Sequence, residues 1–457
     1  MRFHVLVISA VAALGGLLFG YDTGIISAAL LFIGGSFPMG TWGEQLVTSA
    51  IVAGALVGCM AAGPLSDRIG RRPTVMLAAL LFVLASVGAA LAQSVASLTG
   101  ARLILGLAVG AASQIVPVYI AELAPAAQRG SLVVLFQLAV VGGILVSTIV
   151  GSLLGGARFA TELLGQGGDW RLMFLLGVVP AIILGLGMIG LPESPRFLAL
   201  NGQDAKARRI LLELRPSPAE VDQELRAIEE TVNAERGWRD LFTARMRPAL
   251  IAGMGVAMFS QITGTNAVIY YAPTIARSAG LGQGAALLTA LVVGVTIVLT
   301  TIFGIWAVDR WGRRTLMLRF LPGAVIGLVA LGAALQGGVP TGGTRWLAVA
   351  GLIAYEVFNV GSLSVAIWLV GAEVFPLSVR GKGMSMVALS HWTFDLLISL
   401  TTLSLVRALG AGNSFWLFAI VNLLAWFFVW RFVPETKGRS LEEIEASLQR
   451  GQFTVVR

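Results

Sequence analysis

Two charged side chains stand where charges are expensive. Asp22 and Arg102 each interrupt an apolar run, and a charge at the centre of a membrane helix costs about 2.5–3.5 kcal/mol on insertion scales. A carboxylate that faces an arginine stays ionised; drawn away from it and kept dry, it takes up a proton. That cycle is a coupling device. A purely structural ion pair is the other use of the same residues. Glu356 in Tyr-Glu-Val-Phe-Asn and Asp395 in His-Trp-Thr-Phe-Asp also fall inside apolar runs. Titration, substrate contact and a satisfied interior polar group all remain open for them. A further acidic-basic set borders the apolar runs: Asp67, Arg71, Arg72, Glu122 and Arg129, then Asp309, Arg313, Arg314, Glu373 and Arg380. Ion pairs among such groups form and break with the closing and opening of one end of a helix bundle. An exposed pair contributes only ~0–1 kcal/mol, but a shielded network makes a bistable gate. Simple obedience to a charge rule for membrane loops is the bland account of the same arginines.

The elements that carry these groups are membrane helices. The chain has 457 residues, 56% hydrophobic and 12% charged, and stretches 5–19, 75–92 and 416–430 hold no charge at all. About 20 apolar residues cross ~30 Å of hydrocarbon as a helix, the form that lets the backbone bond to itself in lipid. The runs predict spans near 5–31, 43–63, 73–92, 97–121, 131–153 and 170–190, then 248–276, 283–308, 315–336, 345–371, 383–407 and 413–433. The expected organisation is a bundle over 1–192, a charged helical linker over 193–246 broken at Pro216 and Pro218, a second bundle over 247–433, and a tail over 434–457. Of the 32 Lys and Arg, 26 fall on the side that holds both termini; Arg102, Arg158, Arg171, Arg277, Arg345 and Arg407 are the rest. This positive-inside bias places both termini in the cytoplasm and accounts for the net charge of +8 without nucleic acid. Counted from the outer helix ends, Asp22 lies about nine residues (~14 Å) deep and Arg102 about five (~8 Å). Both therefore sit in the outer half, within reach of each other.

The two halves repeat one another. Asp67-Arg-Ile-Gly-Arg-Arg72 returns as Asp309-Arg-Trp-Gly-Arg-Arg314, an offset of 242 residues. Ala121-Glu-Leu-Ala-Pro125 with Arg129-Gly130 returns as Ala372-Glu-Val-Phe-Pro376 with Arg380-Gly381, at 251; Pro192-Glu193-Ser194 returns as Pro434-Glu435-Thr436, at 242. Three ordered matches at nearly one offset imply a duplicated six-helix unit, the parallel-repeat plan of a rocker-type transporter. These motifs resemble the sugar porter family of the major facilitator superfamily, whose bacterial members include sugar–proton symporters. The likeness runs from about Gly15 to Glu443, and Pro-Glu-Ser-Pro-Arg (192–196) and Pro-Glu-Thr-Lys-Gly (434–438) narrow it to sugar porters.

The resemblance implies an all-α integral membrane protein of twelve helices in two six-helix bundles. It also implies an inner-membrane, multi-pass monomer that moves a pentose, hexose or related polyol by alternating access, with a proton as the second cargo. In the family, proton symporters carry aspartate at the Asp22 position of Gly-Tyr-Asp-Thr-Gly, and passive facilitators carry asparagine. Sugar rings are bound by neutral amides and hydroxyls and by aromatic faces. The positions that match are Phe19, Gln137, Gln261, Asn266, Tyr270, Tyr271, Trp368 and Trp392. Several neighbours depart from the pattern. Ser260 replaces the first of two glutamines, Ile297 beside Thr296 replaces an asparagine, Ser364-Val365 replaces Gly-Pro, and His391 replaces an amide. Glucose-like recognition is therefore not assumed, and the usual bend of the tenth span is placed in doubt.

Other patterns lead nowhere. Gly185-Leu-Gly187-Met-Ile-Gly190 fits a dinucleotide fingerprint but lies in a membrane helix with no preceding strand. There is no phosphate-binding G-x-x-x-x-G-K-[S/T], only His4 and His391 as histidines, and one cysteine, Cys59, so neither ATP chemistry, a metal, a cofactor nor a disulfide is expected. Met1–Gly20 imitates a secretory leader, but its apolar run continues into Tyr21–Leu31, so cleavage is not expected. No nucleophile–base set marks an enzyme. A proton symporter, a passive facilitator and a transport-inactive sensor remain, the last disfavoured by the short stretch after Phe432.

Overall fold

The structure is a computed structural model, and it describes every residue except 1–2, 126–127, 216, 235–236, 279–280, 339, 440, 451–452 and 454–457. The sequence-predicted break at Pro216 lies outside the described residues. Among those described the chain is helical and holds no strand. It divides into two compact units: unit 1 is Met1–Met39 with Leu46–Glu235, and unit 2 is Gly40–Gln45 with Arg236–Arg457. The charged segment 193–246 is thus shared between them.

Unit 1 takes α1 (Phe3–Ile33), most of α2 (Thr41–Ile69), α3 (Arg71–Ala90), α4 (Val95–Leu123) and α5 (Arg129–Leu154), then α6 (Arg158–Leu164), α7 (Gly168–Leu176) and α8 (Val178–Ile189). α9 (Pro195–Leu200), α10 (Asp204–Leu214) and α11 (Pro218–Ala234) complete it. Glycines set its helix spacing. A Cβ on Gly20 would lie 1.8 Å from the Val140 carbonyl oxygen, and one on Gly143 2.3 Å from that of Leu17, so α1 and α5 are pressed backbone to backbone. Gly54 and Gly106 do the same for α2 and α4. Small residues are what permit such contact between membrane helices.

Unit 2 contains α12 (Trp238–Leu241), α13 (Arg247–Ile262), α14 (Thr265–Ser278), α15 (Gln283–Trp311), α16 (Arg313–Leu335) and α17 (Gly342–Asn359). A π-helical turn over Val360–Ser364, α18 (Val365–Val374), α19 (Arg380–Leu409), α20 (Ala411–Phe432) and α21 (Leu441–Gln449) follow. Its core joins Val256, Leu321, Val370, Phe375, Val387 and Val429, and α21 adds Ile444 and Leu448.

Among the described residues, eleven helices, with α7–α8 and α17–α18 each read as one, are long and apolar enough to cross a membrane. The remaining crossing is interrupted: the predicted 248–276 span is α13 and α14, each too short to cross alone. Counting this pair as one gives the expected twelve. The outer faces are apolar, with Leu84, Leu186, Leu299, Ile326, Phe427 and Trp430 exposed, the inverse of a water-soluble surface.

Candidate functional site

The charge pair forms. Arg102 on α4 is fully buried, and its Nη1 lies 3.3 Å from Asp22 Oδ2 on α1. Its Nε donates to the Val47 carbonyl of α2 at 2.7 Å, and its guanidinium lies over the Phe174 ring, 5.5 Å from the centroid. The close approach of α2 to α4 at Gly54 and Gly106 brings that carbonyl within reach. Next to Asp22, the Tyr21 hydroxyl donates to the Met173 carbonyl at 2.6 Å and fixes α1 against α7. Phe19 and Gln137 occupy the glycine-packed pair α1 and α5, and both are partly buried.

The repeated motifs build the same clasp twice. In unit 1 the chain turns at Gly70, φ +102°, ψ 163°, a conformation open essentially to glycine alone. The turn aims the first amides of α3 at the Glu193 carboxylate, which accepts from Arg71 N at 3.1 Å and Arg72 N at 3.2 Å. Arg71 reaches Glu122 (Nε–Oε2 3.1 Å) and Asp67 (Nη1–Oδ1 3.0 Å). The Ser194 hydroxyl donates to the same Glu122 oxygen. Burial pushes the Glu193 carboxyl above the usual carboxylate range, while the amides of Ser194, Arg72 and Arg71 and the Arg71 charge pull it back.

Unit 2 repeats each part. Gly312 has φ +91°, and Glu435 accepts from Arg313 N at 2.9 Å and Thr315 N at 3.0 Å. Arg313 binds Glu373 in a fork, 3.0 and 2.8 Å, and Asp309 at 3.4 Å. Thr436 stands where Ser194 stood and donates to Glu373 at 2.6 Å.

The second arginines differ from the sequence expectation. Arg72 donates to the Met188 and Ile189 carbonyls, which end α8, at 3.0 and 2.6 Å. Arg314 donates to the Trp430 carbonyl near the end of α20 at 2.8 Å. Both satisfy helix-terminal carbonyls instead of joining Glu122 or Glu373. Arg380 donates Nε to the Phe375 carbonyl at 3.4 Å, and the Arg129 side chain is outside the described ones. Glu193 and Glu435 were visible in the sequence as repeat and family letters, without a role in the clasp. Their spacing after the Gly-Arg-Arg turn, equal in both halves, was the available signal.

The polar residues of unit 2 gather around the interrupted crossing. Gly264, φ +103°, turns the chain between α13 and α14, where a Cβ would meet the Phe418 ring at 3.0 Å. The break frees the Thr263 carbonyl, which accepts from Tyr355 Oη and Asn422 Nδ2, each at 3.0 Å. Thr265 donates to Asn359 Oδ1, and Asn359 Nδ2 donates to Asn422 Oδ1 at 2.9 Å. Before the break, Gln261 Nε2 donates to Ser260 Oγ at 3.0 Å and lies 3.0 Å from His391 Nδ1; Gln261 Oε1 accepts from Asn266 Nδ2 at 2.7 Å. With the amide donating, His391 Nδ1 is the acceptor. The His391 ring lies between Trp368 and Trp392, 5.3 and 5.2 Å between centroids.

Two expected sugar-contacting hydroxyls are engaged within the bundle: Tyr270 donates to Asp395 Oδ2 at 3.2 Å and Tyr271 to the Ser399 carbonyl at 2.6 Å. Thr296, beside Ile297, bonds to Val292 of its own helix at 2.8 Å. The tenth span, α17–α18, is irregular even without Gly-Pro, because the π-helical turn Val360–Ser364 precedes Trp368. Such turns cluster at functional sites.

Comparison with known proteins identifies the family. The family model described as sugar (and other) transporter matches residues 8–448. The chain is 39% identical to a D-xylose transporter of Levilactobacillus brevis over 96% of this chain and 94% of that protein. It is 36% identical to the galactose-proton symporter of Escherichia coli (strain K12), over 96% and 94%. Among solved structures, the inward-open xylose transporter XylE from E. coli superposes with TM-score 0.83 at 30% identity, covering 97% of this chain and 99% of that one. The chain belongs to the sugar transporter family of the major facilitator superfamily: a multi-pass membrane transporter and not an enzyme.

Proposed function

From that family membership we propose that the chain imports a monosaccharide by proton symport with alternating access. Asp22 and Arg102 form the coupling pair. The observation that carries this reading is the ion pair itself, fully buried between α1 and α4 and 3.3 Å long. At that distance and an effective dielectric near 20, its Coulomb attraction is about 5 kcal/mol. Any conformational step that parts the two groups raises the proton affinity of Asp22 by a share of that energy, and any step that rejoins them expels the proton. The galactose-proton symporter's name makes such coupling familiar among relatives.

The sugar is a pentose, hexose or polyol, and the residues of unit 2 that hold it are Ser260, Gln261, Asn266, Trp368, His391 and Trp392. The amide relay from Asn266 through Gln261 to His391 supports this choice, since it offers neutral donors and acceptors beside two indole rings. The clasps at Arg71–Glu122 and Arg313–Glu373 are the gate at the end facing the cytoplasm, where both termini lie; the Lys and Arg bias supports that side.

The test is radiolabelled uptake in proteoliposomes across a panel of pentoses, hexoses and polyols, with and without an imposed proton gradient. Accumulation above the outside concentration only under an inward gradient, collapsed by a protonophore, is expected. Equal uptake in both conditions, never exceeding equilibrium, would identify a passive facilitator instead.

A further inference from the structure

Glu356 has no place in the coupling pair, the clasps or the amide relay. It lies on α17, ~21 Å along from the start of the Gly342–Val374 span at ~1.5 Å per residue, near the middle of the crossing. The residue is fully buried, and neither carboxyl oxygen has a hydrogen-bond partner. Its surroundings hold no compensating charge. α15 carries Asp309 and Arg310, and α16 carries Arg313, Arg314 and Arg319, all toward the Gly312 end of those helices. The π-helical turn carries none, and α17 itself adds Arg345 in its first turn and the phenol of Tyr355. The packing there is close: a Cβ on Gly327 of α16 would come within 2.6 Å of the Tyr355 amide nitrogen.

A carboxyl kept for structure finds an acceptor for its proton or donors for its charge. Glu356 has neither in this conformation, and an unpaired ionised group is the costliest thing to leave in hydrocarbon. Its neighbours lie at the two irregular points of these helices. Tyr355, adjacent in sequence, ties α17 to the Thr263 carbonyl at the α13–α14 break, and Asn359, one turn on, bonds Thr265 across that break. The π-helical turn begins at the next residue, Val360.

We propose that Glu356 is a second proton-binding site, loaded and unloaded once in each transport cycle as the π-helical turn and the α13–α14 break rearrange. In loading, one O–H bond of a hydronium ion breaks and its proton forms one O–H bond with a carboxylate oxygen, leaving water. In unloading, that bond breaks and the proton returns to water across the membrane. No other bond changes, and one charge moves. The proposal rests on the symport reading above.

The experiment is a reversal-potential measurement in proteoliposomes, with D-xylose or D-galactose, whichever gives saturable uptake. It compares wild type, Glu356→Gln and Asp22→Asn. The expected result is that wild type moves more than one proton per sugar and Glu356→Gln moves one fewer. An unchanged ratio in Glu356→Gln overturns the proposal while leaving Asp22 coupling intact. No proton movement in wild type overturns both. Should Glu356→Gln fail to insert, a wild-type ratio of one rejects the proposal by itself. A ratio above one supports it if the carboxyl infrared band that changes on sugar binding shifts in Glu356→Asp, and an unshifted band rejects it.

Discussion

Replacing Gly70 by alanine attacks one clasp at its hinge. The position has φ +102° and ψ 163°, where a non-glycine residue costs about 1–3 kcal/mol. The added Cβ would also lie 2.2 Å from Glu193 Oε2. That oxygen sits at the end of a side chain, but it cannot swing away freely, because the carboxylate holds the amides of Arg71, Arg72 and Ser194. Losing one such charged hydrogen bond costs a further ~1.5–3 kcal/mol. The expected destabilisation is therefore on the order of 4 kcal/mol. Gly63 is the control, since a Cβ there meets nothing within 4 Å. The assay is size-exclusion chromatography of the detergent-solubilised protein after heating, comparing Gly70→Ala, Glu193→Ala, the double variant and Gly63→Ala. The costs of Gly70→Ala and Glu193→Ala should be sub-additive, because removing the carboxylate removes the clash. Full additivity, or a Gly70→Ala as heat-resistant as Gly63→Ala, would refute the reasoning.

Three further outcomes follow from the same geometry. Arg72→Ala strips both carbonyl partners from the end of α8 and should cost about 1–3 kcal/mol in the same heating assay, whereas a value near zero would mean that water replaces the guanidinium. Tyr270→Phe removes one hydrogen bond to Asp395 and should cost about 1 kcal/mol in the heating assay; an unchanged heat resistance would show that this bond adds nothing to stability. His391→Phe deletes the ring nitrogen beside Gln261 Nε2 and should reorder the sugar preferences in the uptake panel, and an identical ranking would show that the amide relay does not set specificity.

What the sequence made legible was position along the membrane and repetition. Asp22 and Arg102 could be matched by counting residues from helix ends, because helical rise converts sequence distance to depth. Arg71 with Glu122 and Arg313 with Glu373 emerged because the motif occurs twice, and the two observed clasps differ by little more than Ser194 for Thr436. The break at Thr263–Gly264 was hidden, since hydropathy reads straight through one glycine; Thr-Gly-Thr within an apolar run was the faint mark of it. Arg72 and Arg314 were paired with the wrong class of acceptor. Long side chains choose among carbonyls that only the packed helices bring near. Tyr271 looked like an open hydroxyl and is spent on Ser399 for the same reason. The tenth span shows the opposite limit: its irregularity persists without the Gly-Pro pair that seemed to be needed for it.

The central claim is that the buried Asp22–Arg102 pair couples sugar movement to a proton. The most direct test is Asp22→Asn in proteoliposomes, with gradient-driven uptake and equilibrium counterflow of the same sugar measured on the same preparation. Coupling through Asp22 predicts that uphill accumulation is abolished while counterflow exchange continues. Full concentrative uptake by Asp22→Asn would contradict it.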